Sequence, residues 1–328
     1  SNVTDMAISG AGFFSLVTQN GGRAYSRAGN FTVDRAGALV DPNGNMVLGW
    51  NRVGNVIPTT GAPVPVQIDL GATAGAAPTT TMSSNTNLDA SAPIGATFTT
   101  PMQIYDSLGA AHSVLYTYTK TSATTWGLAV TTDDPAAVVA GAPASVTFSA
   151  AGVLTAPAVN PTLTISGWTN GASATAATWQ IWSGSPAISS LSGYASPSTT
   201  ANYYQNGFGA GTIQSLVVDQ TGTITGTFTN GQTIPLAQVA LAAFANPNGL
   251  AKRGDNTWGE TLASGAGTVG AAAQGGRGVV LGGNLELSNV DVAEEFTKLI
   301  VAQRGYQANS RVVTTSDELL QETLNLKR

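Results

Sequence analysis

The chain has 328 residues, 39 of them glycine, with a charged fraction of 9% and a formal net charge of −5. That charged fraction is far below the roughly 25% of ordinary soluble domains, and the 13 Lys and Arg are scattered, which excludes the clustered cations that nucleic-acid binding requires. Without cysteine there are no disulfides, thiolate nucleophiles or cysteine metal sites, and no run of about 18 apolar residues is present to insert into a membrane.

The opening stretch reads as strands joined by tight turns. AISGAGFFSLV is followed by AYSRAGNFTVDRAGALVDPNGNMVLGW, with alternating apolar residues at Phe31 and Val33 and at Met46, Leu48 and Trp50. Asp34 to Gly37 and Asp41 to Gly44 share the form D-x-x-G. Asp at the first turn position accepts hydrogen bonds from the backbone ahead of it, and Gly at the fourth tolerates positive φ. The form recurs at Asp106 to Gly109 and Asp219 to Gly222, each flanked by strand-like residues, so hairpins are expected there. A calcium reading needs six to eight converging oxygens, and each turn offers one or two carboxylates. The start, SNVTDMAISG, has no basic region followed by an apolar run, so no cleaved signal is expected and export would use another route.

From Pro135 to Val218 there is no charged residue. Low hydrophobicity with high net charge is the signature of disorder, and this tract has neither. Alternations such as VTFSAAGVLT and ATWQIW predict strands with polar, uncharged outer faces. After residue 230 the pattern of the opening returns in IPLAQVALAAF and NPNGL. The expected fold class is mainly β. It comprises a discontinuous β domain over 1–88 and 234–288, an inserted all-β domain over 89–233, and a long C-terminal helix over 289–328.

The helix begins at Asp291, with Glu294 three residues on as a capping box. Val292, Leu299, Tyr306, Val313 and Leu320 recur every seven residues, and Phe296, Ile300, Val312, Leu319 and Leu324 are read as widening the stripe. Acids at the start and Lys327 with Arg328 at the end match the helix dipole. Gly305 weakens the helix by about 1 kcal/mol relative to Ala, and Thr315 with Glu318 forms a second capping box where a break is possible. A seven-residue stripe packs against another helix, yet nothing else in the chain offers a long amphipathic partner. Another chain, a segment outside this sequence or the protein's own sheet would have to supply one.

Catalytic constellations are missing. His112 is the only histidine, which excludes a His-based metal cluster or dyad, and a turn or strand-face role is expected for it. There is no G-x-S-x-G elbow and no Walker loop. Gly207, Gly209 and Gly211 imitate part of a dinucleotide fingerprint without its strand, helix and downstream acid. Asp133 and Asp134 are adjacent and precede a proline, which suits a loop better than a glycosidase pair. The chain is therefore expected to be no enzyme and to need no metal or cofactor.

AISGAGFFSLV with the following turn-rich stretch resembles the start of the outer domain of bacterial flagellar rod and hook proteins. NLELSNVDVAEEFTKLIVAQRGYQANSRVVTTSDELLQETLNL resembles their shared C-terminal segment. QIYDSLGAAHSVLYTY resembles the V-Y-D-S-x-G-x-x-H segment of the hook branch, with Ile104 in place of Val, and GQTIPLAQVALAAFANPNGLAKRGDNTWGETLASG resembles its return into the outer domain. The tract from about 135 to 200 carries little of the resemblance.

This resemblance implies a structural subunit of an extracellular, flexible tube that transmits torque from rod to filament. Its partners would be identical subunits, the rod, hook cap and hook–filament junction proteins, and the flagellar export apparatus, with no nucleic acid and no membrane insertion. Members of the family normally carry a helical segment ahead of the A-I-x-G-x-G-F-F stretch. The resemblance pairs that segment with the terminal helix, here through Val292 to Leu324, in the inner wall of the tube. The alternatives are a distal rod protein, or a β-rich surface-binding module whose Trp and Tyr residues stack on sugars.

Overall fold

The computed structural model describes residues 2–185, 187–288 and 290–325, and for residues 323–325 the backbone alone. Two compact units are present, Ser1–Asn284 and Leu285–Arg328. The first holds all the strands and two large hydrophobic cores.

After a short strand at Met6–Ser9 that pairs with Val279–Gly282, the large sheet begins with β1 (Phe13–Val17), β2 (Arg23–Ser26) and β3 (Met46–Asn51), with β1 pairing antiparallel to both of the others. The D-x-x-G turns form as their chemistry dictates. Oδ1 of Asp34 accepts the N–H groups of Ala36 and Ala38, and Oδ1 of Asp41 those of Asn43 and Asn45, all at 2.8–2.9 Å. Gly37 and Gly44 take φ of 84° and 79°, where a side chain would be strained.

The second core begins with β4 (Thr81–Asn87). There follow β5 (Thr97–Tyr105), β6 (Ala111–Lys120), β7 (Thr125–Thr132) and β8 (Ser145–Phe148), which form an antiparallel meander with Leu154–Ala156. Burial alternates along β5 and β6, as expected of strands with one solvated face. A second sheet joins β9 (Thr162–Ser166), β10 (Thr175–Trp179), β4 and β11 (Thr199–Gln205). The two sheets share one core, in which Tyr116, Tyr118 and Trp126 from the first meet Met82, Ile165 and Trp179 from the second. The charge-free tract is thus folded β structure, and its alternating Val, Leu, Ile and Trp residues supply the reason.

The chain returns to the first core through β12 (Gly211–Val218), β13 (Thr223–Phe228) and β14 (Thr233–Ala243), which join β1–β3 in one 13-stranded antiparallel sheet. Strand β14 is buried throughout Ala237–Ala242, which explains the largely apolar run of IPLAQVALAAF, and its one polar side chain there, Gln238, donates to the Thr221 carbonyl at 2.8 Å. Exit and return lie side by side. Ala77 and Phe208 exchange backbone hydrogen bonds of 2.9 Å, and Ala74 pairs with Gly211. Strand β4 and Leu88 therefore serve the second core and β12–β13 the first, on the opposite sides of the borders drawn from sequence at 88 and 233. The cause is that Met82 is the only large apolar side chain of β4, so it does not read as a strand, while β12–β13 lacks any compositional break from the tract before it.

The second unit carries α1, Val292–Asn325, 34 residues long. It runs unbroken through Gly305 and through the second capping box.

Candidate assembly surface

Helix α1 is built from local hydrogen bonds. Oδ1 of Asp291 accepts the Ala293 N–H at 2.8 Å, satisfying one of the orphan donors of the first turn. Glu294 reaches forward to Lys298 at 3.0 Å, with Glu295 on the same ammonium at 2.9 Å, so the expected capping box supplies its aspartate half and an ion pair. Glu295 and then Glu294 hold the Lys298 ammonium above its ordinary pKa.

The second capping box does not start a new helix, because its hydroxyls point backward. Thr315 donates to the Arg311 carbonyl at 2.7 Å and Ser316 to that of Val312 at 2.9 Å. A hydroxyl bonded into the preceding turn leaves the helical ladder intact.

The predicted stripe is present and exposed. Val292, Phe296, Leu299, Ile300, Tyr306, Val313 and Leu320 are between 49% and 78% exposed. Seven residues at 3.6 per turn fall about 20° short of two full turns, so this seam drifts around a straight helix and follows a partner only in a left-handed supercoil. Val312 and Leu319 do not widen it. Each lies about 100° around the helix from its neighbour in the seam. Together with Val301, five full turns before Leu319, they define a second exposed line. Sequence reasoning missed Val301, although its 18-residue spacing to Leu319 was the available signal. Leu324 falls within α1, and its side chain lies outside the described residues, as do Lys327 and Arg328.

A soluble helix with exposed apolar lines on two faces is incomplete by itself, since such surface is ordinarily buried against partners. In the first unit, by contrast, exposed apolar residues such as Val53, Ile94, Val159 and Leu262 are scattered along the sequence, as on any soluble protein.

The other residues singled out from sequence have structural duties. Gly207 and Gly211 line the neck between the two cores, where an added Cβ would come within 2.5 Å of Thr79 Oγ1 and 2.6 Å of Asn230 Cγ; no helix follows them to receive a phosphate. Asp134 is buried and accepts the N–H and hydroxyl of Thr169 at 2.8 Å. His112 lies on β6 and packs against Trp168. Trp126, Trp168 and Trp179 are buried in the second core, so they offer no platform for a sugar. Among the described residues no group of three or more His, Cys, Asp or Glu side chains is placed to hold a metal, and no helix is long and apolar enough to cross a membrane.

Comparison with known proteins decides what this surface belongs to. The flagellar hook protein FlgE of Salmonella typhimurium is 36% identical over 341 aligned residues, covering 98% of this chain and 82% of that protein. The chain belongs to the flagellar hook protein family. The hook protein of Escherichia coli K12 is 32% identical with the same coverage, and that of Borreliella burgdorferi 46% identical over 138 residues, which cover 42% of this chain and 31% of that protein.

Family models match in three blocks: the flagellar hook protein FlgE/F/G D1 domain at 7–81, the flagellar basal body protein FlaE D2 domain at 69–208, and the flagellar basal body rod FlgEFG protein C-terminal region at 281–326. The crystal structure of Helicobacter pylori flagellar hook protein FlgE2 shares the fold, with a TM-score of 0.59 at 15% identity over 88% of this chain and 99% of that one. As a hook protein the chain is a structural component of the flagellum, in its extracellular part. The hook relatives favour neither the distal rod nor the surface-binding alternative.

Proposed function

We propose that this chain builds the wall of a helical, flexible hook tube and that α1 is the element through which copies join. The observation that carries this reading is the pair of exposed apolar lines on one continuous 34-residue helix. One line, Val292–Leu299–Tyr306–Val313–Leu320, takes a coiled-coil partner. The other, Val301–Val312–Leu319, takes a neighbouring subunit. A helix apolar on two sides suits the inside of an assembly, where every face is covered.

The second core, from about 79 to 208, is an inserted domain on the outer surface of the tube. Its few acidic, basic and histidine side chains are Asp89, Asp106, His112, Lys120, Asp133 and Asp134. Torque passes from rod to filament through these subunits, with rod, cap and junction proteins at the ends of the tube and the flagellar export apparatus delivering each copy.

Because the chain has no cysteine, a single introduced thiol reports its own environment. Val313→Cys in the full-length protein is expected to react with a maleimide in soluble subunits and to be protected in isolated hooks, while Val159→Cys reacts in both. Equal reactivity of Val313→Cys in the two states contradicts the proposal.

A further inference from the structure

The chain carries six Asn–Gly pairs, beginning at Asn20, Asn43, Asn170, Asn206, Asn230 and Asn248. Asparagine is among the thermally labile residues, and a following glycine, having no Cβ, leaves its backbone nitrogen free to attack the side-chain amide. In that reaction the glycine nitrogen bonds to Cγ, the Cγ–Nδ2 bond breaks, and ammonia leaves with the glycine proton. Water then opens the cyclic imide. Attack at Cγ gives aspartate; attack at the main-chain carbonyl carbon gives isoaspartate, which lengthens the backbone by a carbon.

The nucleophile is held alike in all six pairs. The N–H groups of Gly21, Gly44, Gly171, Gly231 and Gly249 each donate to the carbonyl three residues back, over 2.8–3.1 Å, and that of Gly207 donates to Oε1 of Gln205 at 2.6 Å. What differs is the freedom of the amide. Oδ1 of Asn206 accepts the Thr80 and Thr81 N–H groups at 2.9 Å, and its Nδ2 donates to Thr80 Oγ1 at 2.8 Å. Nδ2 of Asn170 donates to Asp106 at 2.5 Å while its Oδ1 accepts the Ala172 N–H. Asn230 is tied in the same way to the Gly209 carbonyl and the Gln232 N–H. None of these three amides can swing onto the glycine nitrogen without giving up bonds on both of its sides.

Asn43 is braced through its backbone. Its N–H donates to Oδ1 of Asp41 at 2.9 Å, and its carbonyl accepts from Gln19 at 3.3 Å. Asn20 and Asn248 are exposed, and their side-chain amides have no partner among the described residues. For these two the glycine's turn bond is the main restraint, and exposed turn bonds open at far lower free energy than a core does.

We propose that Asn20 and Asn248 are sites of spontaneous deamidation, with water as the co-reactant, and that the fold shields the other four pairs. Each event replaces a neutral amide by a carboxylate in a chain of net charge −5. Both positions lie outside the two large cores, so a modified subunit keeps its fold, and the added charge accumulates with the age of the subunit.

The test is mass spectrometry of the full chain aged at pH 9 and 37 °C, once folded and once unfolded in guanidinium chloride, with each event read as a gain of about 1 Da. Chymotrypsin is the protease to use, since no Lys or Arg stands between Lys120 and Lys252. All six pairs are expected to react at similar rates in the unfolded chain. In the folded chain Asn20 and Asn248 are expected to react at least about tenfold faster than the other four. The proposal is overturned if Asn43, Asn170, Asn206 or Asn230 keeps pace with them, or if Asn20 and Asn248 stay intact in the folded chain while the unfolded chain is fully converted.

Discussion

Asp106 shows how one carboxylate can serve a local turn and a tertiary junction at once. Its Oδ1 makes the two backbone bonds common to every D-x-x-G turn of the chain, while its Oδ2 takes Asn170, 64 residues on, and His112. Burial alone would push this carboxyl up, but bonds from Asn170, His112 and the Ala110 and Leu108 N–H groups hold it below its ordinary range. The N–H of Thr169 lowers Asp134 likewise, and the Tyr25 hydroxyl lowers Glu260. A carboxylate depressed in the folded state adds stability that is complete above its unfolded pKa, about 4, and is lost as pH falls through the folded value. Melting temperature is therefore expected to hold from pH 7 to about 5 and to fall steeply below about 4; a flat profile to pH 3 would contradict this.

Asp106→Ala removes a buried carboxylate that accepts four hydrogen bonds, and urea denaturation is expected to show a loss of roughly 2–4 kcal/mol. A change below about 0.5 kcal/mol would be that of an ordinary surface position and would refute the junction. The turn half of Asp106 was legible, because its geometry depends on four consecutive residues. The tertiary half was not, since nothing near Asp106 announces Asn170 or Trp168.

At the scale of elements, α1 shows the same division. Its start, its length and its seven-residue seam were legible, being properties of spacing and capping. The possible break was not decided by sequence, because Thr315 can cap forward or bond backward and only the formed helix shows the second. The second face went unseen for a related reason: Val312 and Leu319 stand next to seam residues in sequence but about 100° from them on the helix.

Gly305 lies within this helix, and nothing stands within 4 Å of a Cβ added to it. Gly305→Ala is expected to stabilise α1 by up to about 1 kcal/mol, read as increased helical ellipticity and a higher melting point of the helical signal. A less helpful or destabilising substitution would mean that this glycine has a conformational duty within the single chain.

For the whole molecule, the insertion of one β structure into another was legible in the return of the opening pattern after residue 230. Its borders were not. They are set by pairings between distant segments, Ala77 with Phe208 and Ala74 with Gly211, and no local signal marks either partner. The absence of charge in the middle of the chain pointed away from disorder for a sound reason: within that tract Trp168 and Trp179 are buried in the second core, while Tyr194, Tyr203 and Tyr204 stay exposed. The exposed apolar lines that run along one element belong to α1, and the account of function rests on them.

That account is tested most directly by electron microscopy of hook–basal bodies from cells whose full-length hook protein carries Leu299→Ser with Leu320→Ser. These positions lie on the seam and outside both β cores. The account predicts that cells export folded subunits into the medium, with the β-sheet circular dichroism of wild type, and build no hook. Hooks of normal length and curvature assembled from the doubly substituted protein would contradict it.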